Sequence, residues 1–296
     1  MIGARQASYA AQNRSPRAKV QERLTVSETG TIARDVAATM NYVVRGEKAT
    51  FHPGAREKSY WPVEEHKVTI RDMRPIRGRL SFDRNGFVLV DQLTDVTDFT
   101  DKRQVAEIYS AEIEELVARL TGAARVVSFG PIVRTNAGGT HGHNQPAFGA
   151  HVDYGDRTVR DFTFDLLPEE EAKRRLSGRY MLINLWRPIV EVESAPLAVC
   201  DASTVRREDM FDSEVVGGLG DFGRRSLWGF NLAWTPDHKW YWAPRMQPHE
   251  VLAFKLYDSD PEATQFTAHS AFDDPTAPPD AAPRQSIEIR TIAYMS

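Results

Sequence analysis

A single cysteine, Cys200, in 296 residues excludes an internal disulfide and any cysteine-built zinc or iron–sulfur site. It closes the apolar run Leu197-Ala198-Val199-Cys200 and reads as a small buried hydrophobe rather than a nucleophile. No apolar run approaches the ~20 residues that a membrane-spanning helix needs. The stretch from Met1 to Glu22 has scattered Arg and Lys but lacks the apolar core of a secretory signal. Basic charge is not in excess: 37 Lys and Arg against 41 Asp and Glu leave a net charge of −4. That balance argues against a nucleic-acid or membrane-surface partner, both of which need a basic face. Gly-rich phosphate cradles, Gly-x-Ser-x-Gly elbows, internal repeats and low-complexity tracts are also missing. The expectation is a cytoplasmic protein with a small-molecule ligand.

What is present suits one sizeable core, since 41% of the residues are hydrophobic and 26% charged. Residues 1–35, rich in Ala, Arg, Gln and Ser without an apolar period, read as an arm suited to packing against a second copy in a homodimer. Residues 36–296 show no linker and read as one domain. Gly86–Val90 reads as a buried strand, paired with Leu80–Phe82 through the turn Asp83-Arg84-Asn85-Gly86, where Asn-Gly is a hairpin signal. Val105, Ile108, Tyr109, Ile113, Leu116, Val117 and Leu120 form the apolar stripe of one long helix, capped by Thr100 or Asp101 and ended at Gly122. Strands follow at 125–129 and 132–135, a short helix at 168–176, and then strands at 181–186, 197–200, 227–233, 239–242, 251–256, 265–267 and 286–294. Many short strands with covering helices predict a mainly β fold, a jelly roll or a barrel.

The chemistry-bearing residues fall on these strands. His151 and Asp153 lie two apart at a strand end, so they share a face and can reach one ion. A third ligand from a distant strand would complete the 2-His-1-carboxylate triad of non-haem Fe(II) sites. Among the 8 histidines, His269 stands out because it follows Gln265-Phe266-Thr267 and precedes a strand of unusual pattern. That strand puts Arg284, Ser286, Glu288 and Arg290 on one face and Ile287 and Ile289 on the other. Arg284 with Ser286 would suit a far carboxylate, the planar guanidinium fork matching two oxygens; Arg290 offers the same fork or a pairing with Glu288.

His151-x-Asp153, His269 and Arg284-x-Ser286, in this order on a β-helix, resemble the Fe(II)/2-oxoglutarate-dependent oxygenases. Further blocks narrow the resemblance to the group of CmcJ and the AsaB- and gibberellin-desaturase-like enzymes. They are Asn184-Leu185-Trp186-Arg187-Pro188, Trp240 to Met246, His249 to Lys255, Tyr257-Asp258-Ser259 and Pro279 to Arg290. The resemblance runs from about Gly130 to the C-terminus. It implies a double-stranded β-helix of the jelly-roll, cupin-like type, with Fe(II) held by His151, Asp153 and His269, 2-oxoglutarate held by Arg284, Ser286 or Arg290, and Asn184 as a second donor. It also implies consumption of O₂ and release of succinate as a specialised metabolite is hydroxylated or desaturated. The Pro-rich insert Pro275–Pro283 departs from the commoner plant-type enzymes and leaves the choice between Arg284 and Arg290 open.

Trp186, Trp242, Arg134 and Asn144 are the candidate substrate contacts, weighed against core packing for the two tryptophans. His141 and His143 lie in a Gly-rich loop ill-suited to a preformed metal site, and Asp258-Ser259-Asp260-Pro261 reads as a turn. The competing function is a cupin-like metal protein performing a non-oxidative hydrolysis or isomerisation, which leaves Arg284 no cosubstrate to bind.

Overall fold

The computed structural model describes residues 34–53, 55–137, 145–217 and 226–296. The arm expected at 1–35 therefore lies almost wholly outside the described residues, as do His141, His143 and Asn144. In chain order the strands are β1 (Val36–Val43), β2 (Ala49–Phe51), β3 (Val63–Asp72), β4 (Phe87–Asp91), β5 (Arg125–Thr135), β6 (His151–Val152) and β7 (Tyr180–Pro188). They continue as β8 (Leu197–Cys200), β9 (Met210–Val215), β10 (Leu227–Leu232), β11 (Trp240–Trp242), β12 (Glu250–Asp258), β13 (His269–Ala271) and β14 (Gln285–Tyr294). One sheet runs β1-β3-β11-β8-β13-β6-β10-β9-β2, the other β4-β12-β7-β14-β5. The result is the expected jelly roll.

Two cores sandwich the smaller sheet, because the side chains of its strands alternate between two buried faces. Leu182, Trp186, Leu252, Phe254, Ile292 and Tyr294 point toward the larger sheet. Met181, Ile183, Leu185, Val251, Ala253, Ile287 and Ile289 point outward and are covered by the helix carrying Val105, Tyr109, Ile113, Leu116 and Val117. Asp101 caps that helix by accepting from the amides of Arg103 and Gln104, and Gly122 ends it in the left-handed region at φ 72°. Its apolar stripe gave no hint of the π turn, Val105–Tyr109, that joins α1 (Lys102–Gln104) to α2 (Ser110–Thr121).

Three strand expectations need correction. Leu80–Phe82 is not a strand: Ser81's carbonyl gathers the amides of Arg84, Asn85 and Gly86 in a compact turn, and β4 pairs with β12 instead. Gln265–Thr267 is not a strand either, because the Gln265 side-chain amide folds back onto the carbonyls of Asp260 and Ala263; pairing begins at His269. The two strands expected at 125–129 and 132–135 are one, β5, bulged where Gly130 adopts φ 57°. A helix that the pattern did not disclose, α3 (Asp156–Leu166), follows the His-x-Asp segment, and α4 (Glu169–Leu176) comes after it.

Candidate active site

β6 is only two residues long, yet it sits between β10 and β13, and His151 pairs in register with His269. Adjacent strands thus bring the two imidazoles side by side, with centroids 4.3 Å apart. Asp153 Oδ1 lies 3.4 Å from His151 Nε2 and 3.7 Å from His269 Nε2. One donor atom from each residue falls within 4.8 Å of the others, and among the described residues no second such group of three is found. His151 Nδ1 is 2.7 Å from the Gly149 carbonyl and His269 Nδ1 3.4 Å from the Thr267 carbonyl. Donation from Nδ1 to these carbonyls leaves each Nε2 lone pair directed at the gap, the orientation a metal ligand needs.

Burial, together with the neighbouring His151, keeps His269 below its ordinary value, so its imidazole is neutral and ready to ligate. Burial opposes ionisation of Asp153, but the Arg290 charge, with the two imidazoles close by, holds it well below the usual carboxylate range.

Glycines make this packing feasible. A Cβ on Gly229 of β10 would collide with the backbone carbonyls of Val152 and Asp153. A Cβ on Gly149 would come 2.7 Å from the Trp61 ring. Gly229 was missed in the sequence, although an isolated glycine inside the strand Leu227–Leu232 signals close backbone approach.

β14 supplies the charged wall. Ser286, Glu288 and Arg290 face the space between the sheets, as their alternation predicted, and Arg284 precedes them. Glu288 Oε1 accepts from Arg134 Nη2 at 2.8 Å and from Arg290 Nη2 at 2.7 Å. Against the cost of burial, Arg134 and Arg290 bring the Glu288 carboxyl down to about 2. Arg284 differs from both. It is 2% exposed, donates from Nη1 to the Ala195 carbonyl at 2.7 Å, and has no hydrogen-bond partner for Nε. Burial first, then the charge of Arg134, push its guanidinium down to about 9. Ser286 Oγ and both amide atoms of Asn184 are likewise buried without hydrogen-bond partners. A buried guanidinium, hydroxyl and amide left unmatched fit an anionic ligand with polar oxygens.

A cavity lined by Arg134, His151, Asp153, Trp186, His269, Arg284 and Glu288 joins this wall to the triad. Of the candidate substrate contacts, Trp186 and Arg134 line this cavity. Trp242 does not: it lines a separate cavity of about 430 Å³ with Val192, Pro244 and Arg245, and its indole N–H donates to the Arg34 carbonyl.

Two histidines and a carboxylate that could hold a metal ion converge beside an unmatched guanidinium, and the chain belongs to the Fe(II)/2-oxoglutarate-dependent dioxygenases, a class of oxidoreductases. Residues 34–294 match the family described as "YDMC: Oxidoreductase/YMDC permease-like domain". No helix among the described residues is long and apolar enough to cross a membrane. The Fe(II)/2-oxoglutarate-dependent dioxygenase nvfI of Aspergillus novofumigatus is 33% identical over 83% of this chain and 89% of its own length. The hydroxylase/desaturase efuI of Hormonema carpetanum is 29% identical over 88% of this chain and 95% of its own. A solved structure of the iron and alpha-ketoglutarate-dependent endoperoxidase NvfI superposes with a TM-score of 0.80 at 29% identity, covering 90% of this chain and 99% of that one.

Proposed function

We propose that the protein hydroxylates or desaturates a small specialised metabolite, with His151, Asp153 and His269 as the Fe(II) ligands and Arg284 with Ser286 as the anchor for the distal carboxylate of 2-oxoglutarate. The observation that carries this reading is the Arg284 guanidinium, buried in the cavity of the triad with no carboxylate ion pair of its own. A cupin-like hydrolase or isomerase would leave that cation unanswered, and the relatives are named dioxygenases and hydroxylase/desaturases. Arg290 is already engaged with Glu288 and Asp153, which favours Arg284 for the cosubstrate.

Iron, when bound, supplies the activation of O₂ that is coupled to oxidative decarboxylation of 2-oxoglutarate to succinate. The chain's own part is orientation and exclusion. The Gly149 and Thr267 carbonyls fix the two imidazoles, Arg284 sets the direction of the cosubstrate, and Asn184 supplies an amide on the same strand face as Trp186. Trp186 and Arg134 bound the space for substrate, and Asn144, outside the described residues, is a further contact in this reading. Residues 36–296 form the oxygenase domain and residues 1–35 an arm that serves a homodimer. The protein works in the cytoplasm and needs no nucleic acid.

The test is turnover. Purified protein with Fe(II), ascorbate and 2-oxoglutarate should release succinate, and a panel of small specialised metabolites should yield products heavier by one oxygen or lighter by two hydrogens. Metabolite conversion without 2-oxoglutarate would contradict the proposal.

A further inference from the structure

The two oxygens of Asp153 have different neighbours. Oδ1 is the atom nearest both imidazole Nε2 atoms, at 3.4 and 3.7 Å. Oδ2 accepts instead from Arg290 Nη2, at 3.3 Å. That same Nη2 donates to Glu288 Oε1 at 2.7 Å, while Nη1 donates to the Gly130 carbonyl at 3.1 Å. The bulge of β5, where Gly130 takes a left-handed φ of 57°, turns this carbonyl inward. The Tyr154 ring packs on the guanidinium, its centroid 5.6 Å from Cζ. Arg290 is thus held on several sides in a side chain only 2% exposed.

From this geometry, and resting on the metal reading above, we propose that Glu288 and Arg290 are positioning residues that hold Asp153 to single-oxygen ligation, keeping adjacent metal positions free for a chelating 2-oxo acid. A carboxylate with both oxygens free binds a cation through one or both. Two-oxygen ligation by Asp153 would take up a position on the metal and leave too few for both a bidentate cosubstrate and O₂. Arg290 occupies Oδ2 and prevents this. Glu288 aims Arg290, with its Oε1 shared between Arg290 and Arg134. Arg134, Arg284 and Arg290 against Asp153 and Glu288 leave 3 − 2 = +1 charge around the cavity. An anionic chelator is therefore still favoured once the clamp is set.

The experiment measures Fe(II) affinity and, on the Fe(II)-loaded protein under anaerobic conditions, 2-oxoglutarate affinity, for wild type, Glu288→Gln and Arg290→Lys. Glu288→Gln removes a negative charge, so electrostatics alone would tighten 2-oxoglutarate binding. The clamp predicts that it weakens, by about tenfold, while Fe(II) affinity without cosubstrate is retained. Arg290→Lys keeps the charge but loses the fork, and should weaken 2-oxoglutarate binding likewise. It is read alone if Glu288→Gln does not fold. Cosubstrate affinity equal to or tighter than wild type in a folded variant overturns the clamp alone. Wild-type protein that binds neither Fe(II) nor 2-oxoglutarate overturns the metal reading along with it.

Discussion

The Arg284 guanidinium lies 5.5 Å from the centroid of the Trp186 ring, and its Nη1 is tied to the Ala195 carbonyl at 2.7 Å. The indole face and the carbonyl hold a cation in place without neutralising it. Arg284→Gln should therefore raise the KM for 2-oxoglutarate by about 100-fold, with metal affinity little changed. Arg284→Lys should recover part of the loss, since a point charge lacks the planar fork. Succinate release as a function of 2-oxoglutarate concentration reads both.

Gly229 touches no metal, yet its missing side chain lets β10 approach the backbone of Asp153. Gly229→Ala should push the Asp153 segment away from the histidines. Fe(II) affinity is expected to fall about tenfold or more, measured by anaerobic titration alongside circular dichroism to confirm the fold. Unchanged affinity would mean that the strands separate without moving the carboxylate.

Lys255 and Asp258 have wholly buried side chains and pair at 2.8 Å, with Arg179 donating to the same carboxylate at 2.8 Å. The sequence suggested only a turn at Asp258; the structure makes it the acceptor for a buried ammonium. Asp258→Ala should destabilise the fold by roughly 3–5 kcal/mol, because an uncompensated buried charge remains. Arg179, 37% exposed, should cost under about 1 kcal/mol when replaced by Gln. Urea unfolding separates the two.

Glu250 receives both Arg74 donors, at 2.6 and 2.9 Å. Although burial opposes it, the Arg74 contacts hold the Glu250 carboxyl below its ordinary 4.5. A depressed folded-state value means that the contribution is complete above about pH 4.5 and disappears as pH falls through the lower folded value. The stability gap between wild type and Glu250→Gln should therefore be constant near neutrality and shrink in acid. Thermal melts between pH 7 and pH 3 check the sign.

Much of the charged wall was legible because strands have a period of two: Ser286, Glu288 and Arg290 share a face of β14 whatever their partners, and Arg284 comes just before it. Which arginine is free was not legible, since that depends on the β5 bulge at Gly130 and on where Asp153 lands across the sandwich. The convergence of His151 and His269 rests on a direct pairing between strands far apart in sequence, which order alone could suggest but not specify. α3 escaped because its buried face includes Thr158 and Thr163, whose hydroxyls bond the carbonyls of Trp228 and Val159 and interrupt the apolar period. The Asn85-Gly86 signal marked a real turn, but a turn does not say which strand its neighbours join.

The most direct test of the central claim is the visible spectrum of the protein with Fe(II) and 2-oxoglutarate under anaerobic conditions. The arrangement of His151, Asp153, His269 and Arg284 predicts a weak charge-transfer band in wild type that is lost in Asp153→Ala and needs a higher 2-oxoglutarate concentration in Arg284→Gln. No band in wild type, or a band that survives in Asp153→Ala, would contradict it.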